Sequence, residues 1–175
     1  SERIIDGALL LRTLLWLGTL QTLLCFAGFF WLYWSYGYRD LLHLPRPDLL
    51  PYDERRGSPD GRVYLMATSM FHAGVVTTQI GNALACRTER ASVWRAGFWR
   101  NRLLLAGFAF ELILIGLMIY VPALARVFEE GPLPLRFWGV LLLYPPALLL
   151  AEEARKAYLR RRESVRAAAA AAAAA

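Results

Sequence analysis

The sequence is short of lysine, short of cysteine and lacks every compact motif that marks soluble catalysis. Of its 20 basic residues only Lys156 is a lysine. Such an arginine bias points to a GC-rich bacterial genome, and so to a bacterial plasma membrane as the setting. The 2 cysteines, Cys25 and Cys86, form neither a CxxC pair nor a zinc spacing and read as buried free thiols. There is no GxxxxGK[ST], GxSxG, HExxH or DKTGT sequence, no glycine-rich loop opening a helix and no PEGL-type broken helix. No soluble block is long enough for a nucleotide-binding fold. The chain therefore does not hydrolyse ATP alone, and no catalytic residue and no cofactor is assigned to it. Residues 1–12 also lack a basic segment followed by a short apolar run and a small-residue cleavage site, which excludes a signal peptide. A start so rich in charge before a long helix reads as a piece of something longer.

Long stretches also lack charge, and this absence sets the class. The chain has 175 residues and is 57% hydrophobic, against about 45–50% for a soluble domain; its mean hydropathy is +0.36. Thr13 to Tyr38 contains no charged residue, nor does Val63 to Cys86. Leu103 to Ala125 contains one, Glu111, and Phe137 to Ala151 contains none. A bilayer core needs about 20 apolar residues per helix. The first three blocks meet that length, and the fourth meets it with its flanks. A soluble bundle would need a wettable face on the first block, which 26 uncharged residues in a row do not leave. The fold class expected is all-α, a polytopic membrane protein with transmembrane helices at about 8–38, 63–86, 103–125 and 133–158. They form one domain over 1–166. Residues 39–62 are an external loop, 87–102 a cytoplasmic basic loop, and 167–175 a run of alanines read as unassigned residues or a tag artefact.

The first segment ends in a belt of aromatics, Phe29, Phe30, Trp31, Tyr33, Trp34, Tyr36 and Tyr38, suited to the headgroup level. The second is too polar for a passive anchor. At 100° per residue, Thr68, His72, Gln79, Asn82 and Cys86 fall within about a quarter-turn. Lipid cannot satisfy such a stripe, so it faces protein or water, as helix–helix glue or as the wall of an ion path. Amide oxygens of Gln79 and Asn82 suit a hard cation. In the third segment Glu111 is a solitary carboxylate, costly unless protonated or paired across to another helix. Pro145 and Pro146 are expected to kink the fourth.

Lys and Arg counts set the orientation. The connection after the second segment carries five, the tail after the fourth carries six, and Arg3 and Arg12 raise that side to thirteen; the opposite side has seven. The richer side is expected in the cytoplasm with both termini. Basic residues that flank membrane blocks are topology determinants, so the pI near 9.7 does not argue for nucleic acid.

Three stretches now carry a resemblance. QIGNALACRTERASVW (79–94) is similar to the eighth helix and following loop of P2-type cation-transporting ATPases. Glu111 with Tyr120 and Pro122 is spaced like the ninth helix of sodium pumps. AEEARKAYLRRR (151–162) resembles the end of the tenth, and Gly28-Phe29-Phe30 matches the seventh. The chain thus resembles the last four of ten helices, the support part of such a pump's membrane domain. The resemblance implies that Gln79 stands where calcium pumps have a ligating Glu, Asn82 where sodium pumps have a ligating Asp, and Glu111 near an extra sodium site. Gln79, Asn82 and Glu111 would be accessory cation-site residues. Arg87, Arg90 and Arg95 would lie on a loop docking the cytoplasmic domains. The partners implied are the remaining helices and domains, the bilayer and the transported cation, with ATP, Mg2+ and an aspartyl-phosphate step belonging to the parent pump. From a different class, a stand-alone four-helix scaffold or regulatory subunit fits the same helices. A secondary transporter would show inverted repeats, and none relates the two halves.

Overall fold

Stop signals in the sequence divide the helices more finely than the apolar blocks do. The computed structural model describes residues 12–45, 47–86 and 101–174. A stretch of π-helix, Arg12–Leu17, leads into α1 (Gly18–Ser35). A 3-10 turn at Pro47–Leu49 precedes α2 (Tyr52–Gly57) and α3 (Pro59–Ala85). Then come α4 (Arg102–Tyr120), α5 (Pro122–Val127), α6 (Leu135–Leu141) and α7 (Tyr144–Ala174). No strand occurs among the described residues.

Each boundary has a local cause. α1 stops at Ser35, before the expected Tyr38, because Gly37 takes φ +96°. The Gly37 amide bonds the Trp34 carbonyl at 3.0 Å and the Tyr38 amide bonds that of Tyr33 at 3.1 Å, which closes the helix in a glycine-dependent cap. α3 starts at Pro59, earlier than the expected Val63. The Ser58 hydroxyl accepts from the Gly61 amide at 3.0 Å, Pro59 fills the first helical position and Asp60 sits in the positive first turn. The expected loop 39–62 therefore contains α2 and the first turn of α3. Asn101 caps α4, accepting from the Leu104 amide at 3.1 Å.

The third and fourth segments are each two helices. Val121 precedes Pro122 and is forced extended, with φ −84° and ψ 116°, so α4 ends at Tyr120 and α5 begins anew. The fourth segment breaks at Leu142 and Leu143, and Pro145 and Pro146 fall in the first turn of α7. A missing N–H there breaks no helical bond. The prolines start a helix and do not kink one.

Among the described residues, 3 helical spans are long and apolar enough to cross a membrane: Leu15–Ser35, Arg102–Tyr120 and Leu135–Arg166. This is an all-α membrane domain. α3 has 27 residues, and at about 1.5 Å per residue it reaches roughly 40 Å, beyond the ~30 Å hydrocarbon core. Its composition is more polar because it is the central helix, packed on α1, α4, α6 and α7. Lipid tails are as apolar as leucine, so close packing rather than water exclusion holds such helices together. The buried face of α3 is accordingly rich in small residues, with Ala67, Ser69, Ala73, Gly74, Thr77, Thr78, Gly81 and Ala85 alongside the larger Val63, Leu65, Met70 and Leu84. At Gly81 a Cβ would stand 2.9 Å from the Pro145 Cα, so only glycine lets α3 and α7 cross there. The main core adds Leu32, Tyr33, Met70, Ile115, Ile119, Phe137, Leu141 and Tyr144.

Candidate functional site

Membrane-level polarity concentrates where the connection between α5 and α6 folds against α3. Glu129 has φ 57°, and this left-handed residue precedes Glu130 in a loop whose two carboxylates go to different partners. The Glu129 carboxylate accepts from an Arg55 guanidinium N–H at 2.6 Å. The Glu130 Oε1 lies 2.5 Å from Nδ1 of His72. Two further ties hold the turn. The Tyr52 hydroxyl donates to the Glu130 carbonyl at 3.0 Å, and the Gly131 amide donates to the Ser69 hydroxyl at 2.9 Å. The Ser69 hydroxyl also lies 2.7 Å from the Gly131 carbonyl.

Burial makes these pairs consequential. Glu130 is 0% exposed, and its Oε2 has no hydrogen-bond partner. The Arg55 side chain is 3% exposed, its Nε is likewise unpartnered, and the guanidinium stands 5.8 Å over the Tyr64 ring. A buried carboxyl with a single hydrogen-bond partner depends on that partner to offset its desolvation, and for the Glu130 carboxyl that partner is His72. The Arg55 hydrogen bond holds the Glu129 carboxyl below its ordinary range. At the same end the hydrogen bond to Asp60 raises the Tyr38 phenol.

His72 and Glu111 line one cleft of about 330 Å³ between α3 and α4, with Val75, Val76, Leu114 and Phe128. Glu111 is exposed there. Gln79 and Asn82 are not among its walls. Gln79 is exposed farther along α3, and Asn82 is half-buried, accepting a long bond from the Cys86 thiol at 3.6 Å. His72 and Glu111 thus line the same cleft, and Gln79 and Asn82 do not line it. Among the described residues no three His, Cys, Asp or Glu side chains form a metal-binding group. Arg87, Arg90 and Arg95 lie outside the described residues.

The other end of α3 meets a second buried charge cluster. Nζ of Lys156, on α7, donates to the Ala85 carbonyl at 3.2 Å. Glu152 and Lys156 are 0% and 1% exposed, and Arg155 grips Glu152 through two bonds of 2.8 and 2.7 Å. Neither Glu130 nor the Lys156 cap is apparent from the sequence pattern. The signal for Glu130 is indirect: a histidine on a membrane helix needs a partner, and the FEEG turn supplies carboxylates that fold back against the middle of α3, where His72 sits.

Comparison with known proteins matches this architecture. A family model described as "Cation transporting ATPase, C-terminus" matches residues 1–158. The potassium-transporting ATPase alpha chain 1 of Xenopus laevis is 32% identical over 83 residues, covering 46% of this chain and 8% of the relative. The chain thus spans a small part of that relative's length. With its helices, its central polar helix and a match over nearly all of its sequence, the chain belongs to the cation-transporting ATPase C-terminal family.

Proposed function

We propose that this chain is the membrane support part of an ATP-driven cation pump. The observation that carries the reading is the uncovered polar edge of α3. Gln79 is exposed and Thr68, His72 and Asn82 are only half-covered by the chain's own helices, although they belong to a helix wrapped by membrane-crossing neighbours. Lipid cannot satisfy that edge, so further helices of the pump cover it. The Arg-rich segments flanking the helices support a cytoplasmic side for both termini. The chain has no nucleotide-binding or phosphorylation motif, so ATP and Mg2+ are handled by domains outside it.

In this reading Glu111 is an accessory group beside the ion path, with His72 across the cleft, while Gln79 and Asn82 offer amide oxygens toward the covering helices. Arg87, Arg90 and Arg95 form the docking surface for the cytoplasmic domains. The test is Glu111→Gln in the full-length protein. A change in the cation or pH dependence of ATPase activity is expected, and unchanged dependence at normal expression reduces Glu111 to a structural residue. Joint replacement of Arg87, Arg90 and Arg95 by Gln should lower ATPase activity while the protein still folds. Absence of a phosphorylation sequence from the full-length protein and from its gene neighbours would instead favour a stand-alone scaffold.

A further inference from the structure

A second cleft, of about 360 Å³, opens beside the N-terminal end of α3. Its walls include Tyr52 and Arg56 of α2, Arg62, Leu65 and Met66 of α3, and Pro132. Arg56 and Arg62 are both exposed. Neither is ion-paired among the described residues, although acids are close by. Those acids are already engaged: Asp53 by Arg126, Asp60 by Tyr38, Glu129 by Arg55 and Glu130 by His72. Glu54 lies two residues before Arg56 on α2, a spacing that does not bring side chains face to face. The cleft therefore carries two exposed guanidinium groups that form no ion pair among the described residues, beside Leu65, Met66 and Pro132.

The depth of this apolar floor is fixed by the residues that follow α1. The Tyr36 hydroxyl reaches the Met66 sulfur at 3.6 Å, and Tyr38 bonds Asp60 in the first turn of α3. Trp34 and Tyr36 are 52% and 37% exposed, as the rings of an interfacial belt are. Met66 thus sits at headgroup level, with the arginines on the water side of it.

We propose that this cleft binds an anionic phospholipid. Arg56 and Arg62 hold the phosphate, for which planar bidentate guanidinium groups are suited, and Leu65, Met66 and Pro132 receive the start of an acyl chain. A free phosphate would use the same arginines but would leave the apolar floor wet, so lipid is the better ligand by its shape.

The test uses the full-length protein in detergent micelles, with native mass spectrometry after addition of phosphatidylglycerol or phosphatidylcholine. Wild type should retain phosphatidylglycerol in preference to phosphatidylcholine. With each arginine near an anionic headgroup contributing modestly, R56Q/R62Q should weaken phosphatidylglycerol retention by about ten- to thirty-fold. Equal retention by wild type and double variant overturns the proposal. So does equal retention of the two lipids by wild type, or heat protection by inorganic phosphate alone as large as that by phosphatidylglycerol. Because Arg62 lies near the start of α3, R56K/R62K serves as a second variant that keeps the charge. It should still favour phosphatidylglycerol, and loss of that preference in a normally folded R56K/R62K protein overturns a charge-held headgroup.

Discussion

His72 on α3 and Glu130 in the α5–α6 connection meet at 2.5 Å across 58 residues of sequence, and Glu130 is wholly buried. The contact is the only one made by the Glu130 carboxyl among the described residues, since Oε2 has no partner. Replacing the imidazole by an apolar group strands a carboxyl that water does not reach.

His72→Leu should therefore destabilise the protein by about 1–3 kcal/mol, the cost of leaving one buried polar group without its hydrogen bond. His72→Gln keeps a donor at a similar reach and should lose less than half of that. Thermal unfolding of the two variants in one detergent decides the matter. Equal losses would mean that the imidazole contributes bulk and not its hydrogen bond.

The neighbouring pair predicts a pH dependence. Arg55 depresses the Glu129 pKa in the folded state. A depressed carboxyl contributes stability that is present above its unfolded value, about 4.3, and is lost as pH falls through the folded value. Wild type should therefore lose melting temperature below roughly pH 4 faster than Glu129→Gln, which has no carboxyl to protonate. The Glu129 side chain is 56% exposed, so solvent screens the effect and the two curves should diverge modestly. Parallel curves from pH 6 to pH 3 would remove the pair from the account.

The sequence carried the class and the central helix, and it failed on what depends on contacts between distant segments. Uncharged runs are a local property, so the apolar blocks and the polar stripe of α3 could be read directly. Helix ends followed local chemistry as well, but the prolines needed their register: Pro145 and Pro146 look like breakers until Leu142 and Leu143 are seen to end α6 before them. Gln79 and His72 share a face by periodicity, yet one is exposed and the other meets Glu130, because α4 and the α5–α6 loop cover only part of that face. The partner of His72 could not be found by spacing, since a left-handed Glu129 decides which carboxyl turns toward α3.

Lys156 tests whether α7 fixes the end of α3. Its ammonium satisfies the Ala85 carbonyl, one of the last that the helix itself leaves open. Lys156→Met preserves the volume of the stem and leaves that carbonyl unsatisfied, which costs about 1–3 kcal/mol. The change also removes the Lys156 contacts with Glu152 at 3.9 Å and Glu153 at 3.7 Å, but Glu152 keeps its two bonds to Arg155, so the turn of α7 around Glu152 should stand. Hydrogen exchange should accelerate at Leu84, Ala85 and Cys86 while the middle of α3 stays protected. Acceleration throughout α3 would show a general loss of packing and not a lost cap.

Glycines of the same chain should respond oppositely to the same change. At Gly81 an added Cβ would lie 2.9 Å from the Pro145 Cα and 3.0 Å from its carbonyl oxygen. Both are backbone atoms, so α3 and α7 must separate, and Gly81→Ala should cost about 1–3 kcal/mol, as overpacking does. At Gly107 and Gly116 on α4 an added Cβ meets nothing within 4 Å. There alanine removes only the entropy penalty of glycine in a helix, and each change should gain about 0.5–1 kcal/mol. Melting temperatures of the three single variants measure the contrast directly. A neutral Gly81→Ala would mean that the α3–α7 crossing is looser than its closest approach implies, and that small residues are not what sets the distance between these helices.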